Sequence, residues 1–123
     1  MHTRLPPRNQ CYKRLRSARF GDTVHCVHCG GEDVVKRGTT DKGAQRYWCK
    51  ECETYFNDLT GTVFGQHRFG IEEMFYIIAK MSTEPISQLA RDLDRDYEAV
   101  RAFVHQVEED NHELDLPTLC SLD

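Results

Sequence analysis

The chain has 123 residues, of which 39% are hydrophobic and 29% charged, and its formal net charge is −4. That length suits one domain, or two very small ones that need a metal or disulfides for stability. No run approaches the ~20 apolar residues of a membrane helix, and the polar, basic start has no signal-peptide pattern. We therefore expect a cytoplasmic protein with no membrane partner.

The charge is distributed unevenly. Residues 1–20 carry a net +6, residues 21–60 carry −2, and residues 61–123 carry −8. Because nucleic-acid affinity comes mostly from neutralising phosphates, the first part favours such a partner and the last opposes it. Residues 1–20 are expected to form a basic flexible arm or a short helix. Cys11 and Cys120, near opposite ends, are expected to be free thiols in mobile tails.

Two cysteine pairs follow the arm. Cys26 and Cys29 form one CxxC motif, Cys49 and Cys52 form a second, and nineteen residues separate them. This spacing is typical of a four-thiolate zinc site, because a CxxC loop turns tightly enough for both sulfurs to reach one ion. The sequence predicts one structural Zn²⁺.

Other uses of the cysteines are weighed against zinc. A thioredoxin-like redox motif needs one CxxC near a βαβ pattern, and disulfides need an oxidising compartment. His25 and His28 could in principle replace a thiolate, although four cysteines already complete a tetrahedron. A catalytic zinc would keep one position open for water, so a structural site is favoured.

Residues 21–58 are predicted to form a zinc ribbon of three short strands. The strands are expected near 34–37, 45–48 and 54–56, with a turn at 38–43 that is rich in glycine and short polar residues. Such a unit is too small to bury an adequate core, so the metal is expected to contribute roughly 10 kcal/mol or more of its stability.

The remainder is predicted to be helical. Residues 59–70, which contain two glycines in their first part, 59–65, are expected to be a linker. Apolar residues then recur at three- and four-residue steps over 71–112, which predicts three helices in a compact bundle. Residues 113–123 show little pattern and are expected to fray. The fold class is therefore α+β, a ribbon followed by a helix-turn-helix-like bundle.

Residues 86–107 match the two-helix DNA-binding unit more specifically. Such a unit places a small residue, here Ala90, among apolar positions that bury the inner faces of both helices. Its turn usually carries glycine, whereas this chain has Asp94. Ser87 or Thr83 could cap the first helix of the pair, and Asp94 or Asp96 the second.

The last predicted helix would present its outer face to DNA. Tyr97, Arg101 and His105 would point outward, and Arg101 is the obvious contact to a base or phosphate. Glu98 and the acidic run 108–110 would repel phosphate. The alternative is a packed helical module that contacts proteins or serves only as structure.

The ordered set of motifs resembles a known family. They are similar to the N-terminal region of insertion-sequence transposases that place a zinc ribbon before an acidic-triad nuclease. The matching pieces are Cys26–Gly30, Tyr47–Cys52, Phe56, Thr60–Phe64 and Leu89–Leu93. The resemblance implies binding to double-stranded DNA at transposon ends. Since no nuclease fold follows residue 112, we expect a truncated or stand-alone, non-enzymatic protein.

Two functions are carried forward. The first is DNA binding, in which the phosphate contacts are expected from Arg14, Arg16, Arg19, Lys36, Arg37, Lys42, Arg46 and Lys50. A full-length transposase or a second copy is a possible further partner. The second is a zinc-ribbon adaptor that binds protein through the aromatic residues Tyr47, Trp48 and Tyr55.

Overall fold

The computed structural model describes residues 4–109 and 114–121 and confirms the α+β class. Its sheet has three antiparallel strands, β1 (Val34–Thr39), β2 (Gln45–Cys49) and β3 (Thr54–Asn57). Its helices within these ranges are α1 (Arg8–Phe20), α2 (Ile71–Lys80), α3 (Ile86–Leu93), α4 (Tyr97–Glu109) and α5 (Leu116–Leu119), with a short 3-10 helix at Val63–Gln66. Within the described ranges, every helix is too short or too polar to cross a bilayer.

The sheet runs in the order β1-β2-β3. Val35 lies opposite Trp48 and Trp48 opposite Tyr55, so these three side chains share one face. The other face carries Tyr47 opposite Phe56, and both are buried. The alternation of aromatic side chains along β2 and β3 therefore divides the rings between an inner and an outer face.

The ribbon has its own small core. On the inner face, the Tyr47 and Phe56 rings stack with centroids 5.0 Å apart, and Phe20 packs edge-on to Tyr47 at 6.0 Å. The buried members of this core are Phe20, Cys26, Tyr47, Cys49 and Phe56. Phe20 is the last residue of α1, so the ribbon core includes a side chain from outside the predicted ribbon.

The larger core surrounds α2. Phe64, Phe75 and Phe103 are fully buried and come from the 59–70 segment, α2 and α4 respectively. Helix α2 is apolar on nearly all sides because it packs against α1, α3, α4 and α5. The predicted three-helix bundle is thus confirmed in its members, and two further helices join it.

Two segments differ from the expectations, and a third adopts one of its two predicted forms. The N-terminal segment forms the 13-residue helix α1, the helical alternative to a flexible arm, and buries Cys11 and Leu15 against the larger core. Segment 59–70 is packed and is not a free linker, because its apolar residues Leu59 and Phe69 are buried in the same core. Residues 116–119 form α5 and bury Cys120, so neither lone cysteine lies in a mobile tail. Residues 1–3, 110–113 and 122–123 of the predicted arm, helical domain and tail lie outside the described residues.

Helices α3 and α4 are joined by the three residues 94–96. Asp94 adopts the left-handed conformation, with φ 53° and ψ 49°, which is the conformation that glycine usually supplies at a helix end. The Asp96 carboxylate accepts a hydrogen bond from the Ala99 N–H and caps α4, as predicted. The predicted caps of α3 are wrong, because Pro85 occupies its N-cap and no side chain caps it.

The turn is fixed to the rest of the bundle by a partly buried ion pair. The Arg95 guanidinium donates two hydrogen bonds to the Glu73 carboxylate, at 2.8 and 2.9 Å. Glu73 also accepts the Gly70 N–H at the start of α2. One carboxylate therefore caps α2 and holds the α3–α4 turn against it, which sets the direction in which α4 leaves the bundle.

Candidate metal centre and nucleic-acid surface

The two CxxC loops bring their four sulfur atoms together. Cys26 Sγ lies 3.6 Å from Cys52 Sγ, and Cys29 Sγ lies 3.6 Å from Cys49 Sγ, so each close pair joins the two loops. The four ligand atoms all lie within 4.8 Å of one another. Zn–S bonds of about 2.3 Å in a tetrahedron give sulfur–sulfur edges of about 3.8 Å, whereas a disulfide needs about 2.05 Å. The four cysteines form a zinc-ribbon site for one structural Zn²⁺.

Backbone N–H groups stabilise thiolate at the first loop. The N–H groups of His28 and Cys29 donate to Cys26 Sγ at 3.3 and 3.5 Å. Burial acts to raise the pKa of Cys26, but these hydrogen bonds and the neighbouring thiols lower it to about 6. This sulfur therefore ionises ahead of an ordinary cysteine and is prepared to bind a cation.

Crowding has the opposite effect on Cys29. The Gly31 N–H donates to its sulfur and acts to lower its pKa, but desolvation and the other thiols raise that pKa to about 12. Four thiolates cannot share this volume without a compensating positive charge. A divalent cation supplies that charge, so the donor set fits zinc.

The two loops share a backbone feature that the sequence shows only once. Gly30 follows the first CxxC with φ 78°, and Glu53 follows the second with φ 56°. In both loops the backbone thus adopts the left-handed conformation directly after the second cysteine, although only the first loop has glycine at that position. The Thr54 hydroxyl lies 3.0 Å from Cys52 Sγ, a contact that the sequence analysis missed.

The histidines beside the first loop have other contacts. The His28 ring nitrogen Nε2 lies 3.3 Å from the Tyr55 carbonyl oxygen, and the His25 ring packs edge-on to Phe20 at 5.5 Å. In the part of the chain that the structure describes, the four cysteines are the only group of histidine, cysteine and acidic residues assembled to hold a metal. The centre is a closed four-sulfur site.

Of the basic residues predicted to contact DNA, four lie exposed on the ribbon. Lys36 and Arg37 are on β1, Arg46 is on β2, and Lys50 follows β2. Among the described residues, no acidic side chain lies within ion-pair distance of any of these four. Their positive charges are available to an external anion.

The other four predicted contacts are used inside the protein. Arg16 pairs with Asp58 at 2.9 Å, and Arg19 donates to the Asp58 carbonyl oxygen. Arg14 donates to the Ser121 carbonyl oxygen. Lys42 donates to the backbone carbonyl groups of residues 67 and 69. These four basic side chains are bound by backbone carbonyl groups or by a buried carboxylate. A count of charges along the sequence cannot detect such contacts.

Asp58 is the residue around which the two cores are joined, and the sequence analysis missed it. It is fully buried, and its carboxylate accepts hydrogen bonds from Arg16, the Gln45 N–H and the Tyr47 hydroxyl. Burial, and then the nearby carboxylate, raise the pKa of Tyr47 to about 12, so the phenol stays a donor. The available signal was an acidic residue directly after an aromatic strand, in a chain whose first helix has only basic charged residues.

The outer face of α4 carries the remaining predicted contacts. Tyr97, Arg101 and His105 are all exposed and recur every four residues, while Val100 and Phe103 are buried beneath them. The Arg101 guanidinium lies 3.6 Å from the Glu98 carboxylate, an exposed pair one turn apart. The structure thus places these three side chains together on one surface.

The N-terminal part of the chain, which contains the metal centre, matches a known protein family. Residues 6–55, which include α1, both CxxC loops, β1 and β2, match the family described as the transposase zinc-ribbon domain, of the IS1595 type. This part of the chain is similar to the zinc ribbon of transposases. The matched segment begins two residues before α1, so it includes the helix whose Phe20 packs into the ribbon core.

A curated relative extends the similarity beyond the ribbon. The uncharacterized protein in transposable element ISH50 from Halobacterium salinarum is 35% identical over 89 residues, which is 70% of this chain. The chain spans 30% of that protein's length. No solved structure shows a significant match to the chain.

Proposed function

We propose that this transposase-related chain binds double-stranded DNA at transposon ends. The observation that carries the proposal is the ribbon's set of four exposed basic side chains, Lys36, Arg37, Arg46 and Lys50, which have no acidic partners among the described residues. The zinc centre holds the strands that present them. Cations on a rigid surface neutralise phosphates at a small entropic cost, so they supply affinity that does not depend on sequence.

The α3–α4 pair would supply sequence preference as a helix-turn-helix. Leu89 and Val100 are fully buried between the two helices, so the outer face of α4 is free to enter the major groove. Arg101 stands at the middle of that face and can form two hydrogen bonds to a guanine edge. The acidic charge of the helical half disfavours indiscriminate phosphate contact, which leaves the ribbon to provide most of the affinity.

The four intramolecular cations are left out of this DNA surface. Arg14, Arg16, Arg19 and Lys42 would each have to give up a hydrogen bond inside the protein in order to reach a phosphate. We assign them to folding.

The adaptor hypothesis is weakened by the burial of one of its three aromatic anchors. Tyr47 is 2% exposed and belongs to the ribbon core, so it cannot contact a partner. Trp48 and Tyr55 remain on the outer face. If duplex DNA binding is absent, or is insensitive to salt, the adaptor becomes the better explanation.

Replacing Lys36, Arg37 and Arg46 together by alanine is expected to weaken duplex binding and to flatten its salt dependence. Each phosphate contact contributes a slope of about −0.9 in a plot of log affinity against log salt concentration, so the slope should fall by nearly three. Fluorescence anisotropy with a labelled duplex over a salt series measures it. The control replaces the exposed Arg4 and Lys13 by alanine and should leave the slope nearly unchanged; an unchanged slope in the triple variant would contradict the proposal.

Replacing Arg101 by alanine is expected to reduce discrimination between transposon-end and unrelated duplexes. Losing one two-hydrogen-bond base contact costs about 1–3 kcal/mol of discrimination, and the salt slope should change by at most about one. Competition binding with both duplexes provides the measurement. Glu98→Gln serves as the opposite control, because removing its negative charge should tighten binding to both; equal loss of affinity for both duplexes in R101A would exclude base reading by this residue.

A further inference from the structure

The outer face of the ribbon sheet carries a compact set of rings and one cation. Trp48 and Tyr55 are cross-strand neighbours with ring centroids 4.6 Å apart, and the Arg46 guanidinium lies 5.0 Å from the Tyr55 centroid. Val35 lies opposite Trp48 on the same face. Three strands thus contribute to one continuous aromatic surface.

These rings have no role in the ribbon core. Phe20, Tyr47 and Phe56 fill the opposite face and are all at most 8% exposed, whereas Tyr55 is 54% exposed. Among the described residues, Tyr55 and Tyr97 are the exposed large hydrophobic side chains. Holding a tryptophan and a tyrosine side by side toward solvent leaves apolar surface unburied, which indicates a surface that binds a partner.

The charge of this face limits the chemistry of that partner. Arg46 lies on this face over Tyr55, whereas Lys36 lies opposite Tyr47 and so belongs to the other face. None of the three strands contains an acidic residue. A partner therefore combines flat, stackable groups with regularly spaced negative charge. Unpaired nucleotides have both, and every base has a face that can stack on an aromatic ring.

Duplex DNA is not complementary to this aromatic surface. Its bases stack on one another, so their faces are hidden, and only phosphates and groove edges remain for contact. The major groove admits a two-stranded ribbon, but rings that enter a groove meet base edges there and not base faces. The cations of the ribbon can contact a duplex, but the rings of Trp48 and Tyr55 gain little from it.

We propose that the outer face of the ribbon, formed by Val35, Arg46, Trp48 and Tyr55, is a binding site for single-stranded DNA. Bases stack on the two rings, and Arg46 contacts the phosphates. The inference rests on the proposed DNA-binding function and adds to it: the ribbon cations and α4 bind a duplex, and the rings on the outer face of the sheet hold an unpaired strand.

The test uses the full chain loaded with zinc. Trp48 is its only tryptophan, so indole fluorescence reports on the proposed site alone. An oligothymidylate strand is titrated while indole fluorescence is recorded, and a duplex without unpaired ends is titrated in parallel by anisotropy. The oligothymidylate is expected to quench Trp48 strongly, and the duplex is expected to quench it little.

Two variants remove the rings one at a time. Tyr55→Ala and Trp48→Ala are each expected to weaken oligothymidylate binding by about tenfold and to change duplex affinity by less than about twofold. Both affinities are measured by the anisotropy of a labelled oligonucleotide, because Trp48→Ala removes the fluorophore. Lys13→Ala, at an exposed position of α1 outside both proposed DNA surfaces, is the control and should leave oligothymidylate binding unchanged. Zinc content and far-ultraviolet circular dichroism verify that each variant is folded, and Tyr55→Leu tests the ring while retaining an apolar side chain.

The outcomes separate this inference from the function on which it rests. Duplex binding without oligothymidylate binding overturns the single-strand site and leaves the duplex proposal standing. Failure of both overturns both. If a polyglutamate peptide quenches Trp48 as strongly as the oligothymidylate does, the face binds acidic protein segments and the inference is wrong.

Discussion

Removal of zinc is expected to unfold the ribbon and leave most of the helical body folded. Structural zinc contributes on the order of 10 kcal/mol to small sites of this kind, far more than the few buried side chains of the ribbon core can replace. The larger core around Phe64, Phe75 and Phe103 contains no zinc ligand. Chelation under reducing conditions, or Cys49→Ser, should therefore affect the two parts unequally.

Trp48 reports on the ribbon, and far-ultraviolet circular dichroism reports on the helices. We expect the emission of Trp48 to shift to the red on chelation, while most of the helical signal persists. Cys49→Ser should abolish stoichiometric zinc, whereas Cys11→Ala, which removes a buried thiol of the larger core, should retain one ion per chain. A chelated protein with unchanged Trp48 emission would show that the four sulfurs are not a structural metal site.

Replacing Asp58 by alanine is expected to destabilise the whole chain by about 2–4 kcal/mol, because it removes a fully buried carboxylate, while the Arg16 guanidinium left behind is partly exposed to water. It also removes the acceptor for the Tyr47 hydroxyl and the Gln45 N–H, both at the junction of the two cores. Since Arg16 is on α1, the loss should loosen that helix from the sheet.

Urea unfolding followed by circular dichroism measures the change. Asp58→Asn keeps an oxygen that can accept hydrogen bonds but loses the charge, so its cost should fall between zero and that of Asp58→Ala. Glu98→Gln, which breaks the exposed pair with Arg101, should change stability by less than about 0.5 kcal/mol. If Asp58→Ala costs no more than Glu98→Gln, then Asp58 does not join the two cores.

The sequence by itself determined the metal and the periodic elements. The CxxC spacing identifies all four sulfur ligands, because a metal site depends on the identity and local spacing of a few residues. The strands over 34–57 and the three helices between 71 and 109 follow from alternation and from three- and four-residue steps, which depend only on local geometry. Asp94 can stand where the turn usually has glycine, because aspartate adopts left-handed angles more readily than most residues.

Only the tertiary structure decided how the basic residues are used. Along the sequence, Arg16 and Arg46 are equivalent positive charges, and both were expected to face phosphate. In the fold, Arg16 is held by Asp58, forty-two residues away, while Arg46 lies exposed over Tyr55. A contact between distant residues depends on how elements pack, and no local pattern encodes it.

Packing likewise decided the fate of the segments that the sequence left without structure. Leu59 and Phe69 lie in a glycine-containing stretch, and Cys120 in a tail without periodicity, yet all three are buried because α2 has apolar surface on nearly every side. Helix α2 has more apolar surface than α3 and α4 can cover, so α1, α5 and the 59–70 segment also pack against it. The sequence shows that surface, but only the fold shows which segments cover it.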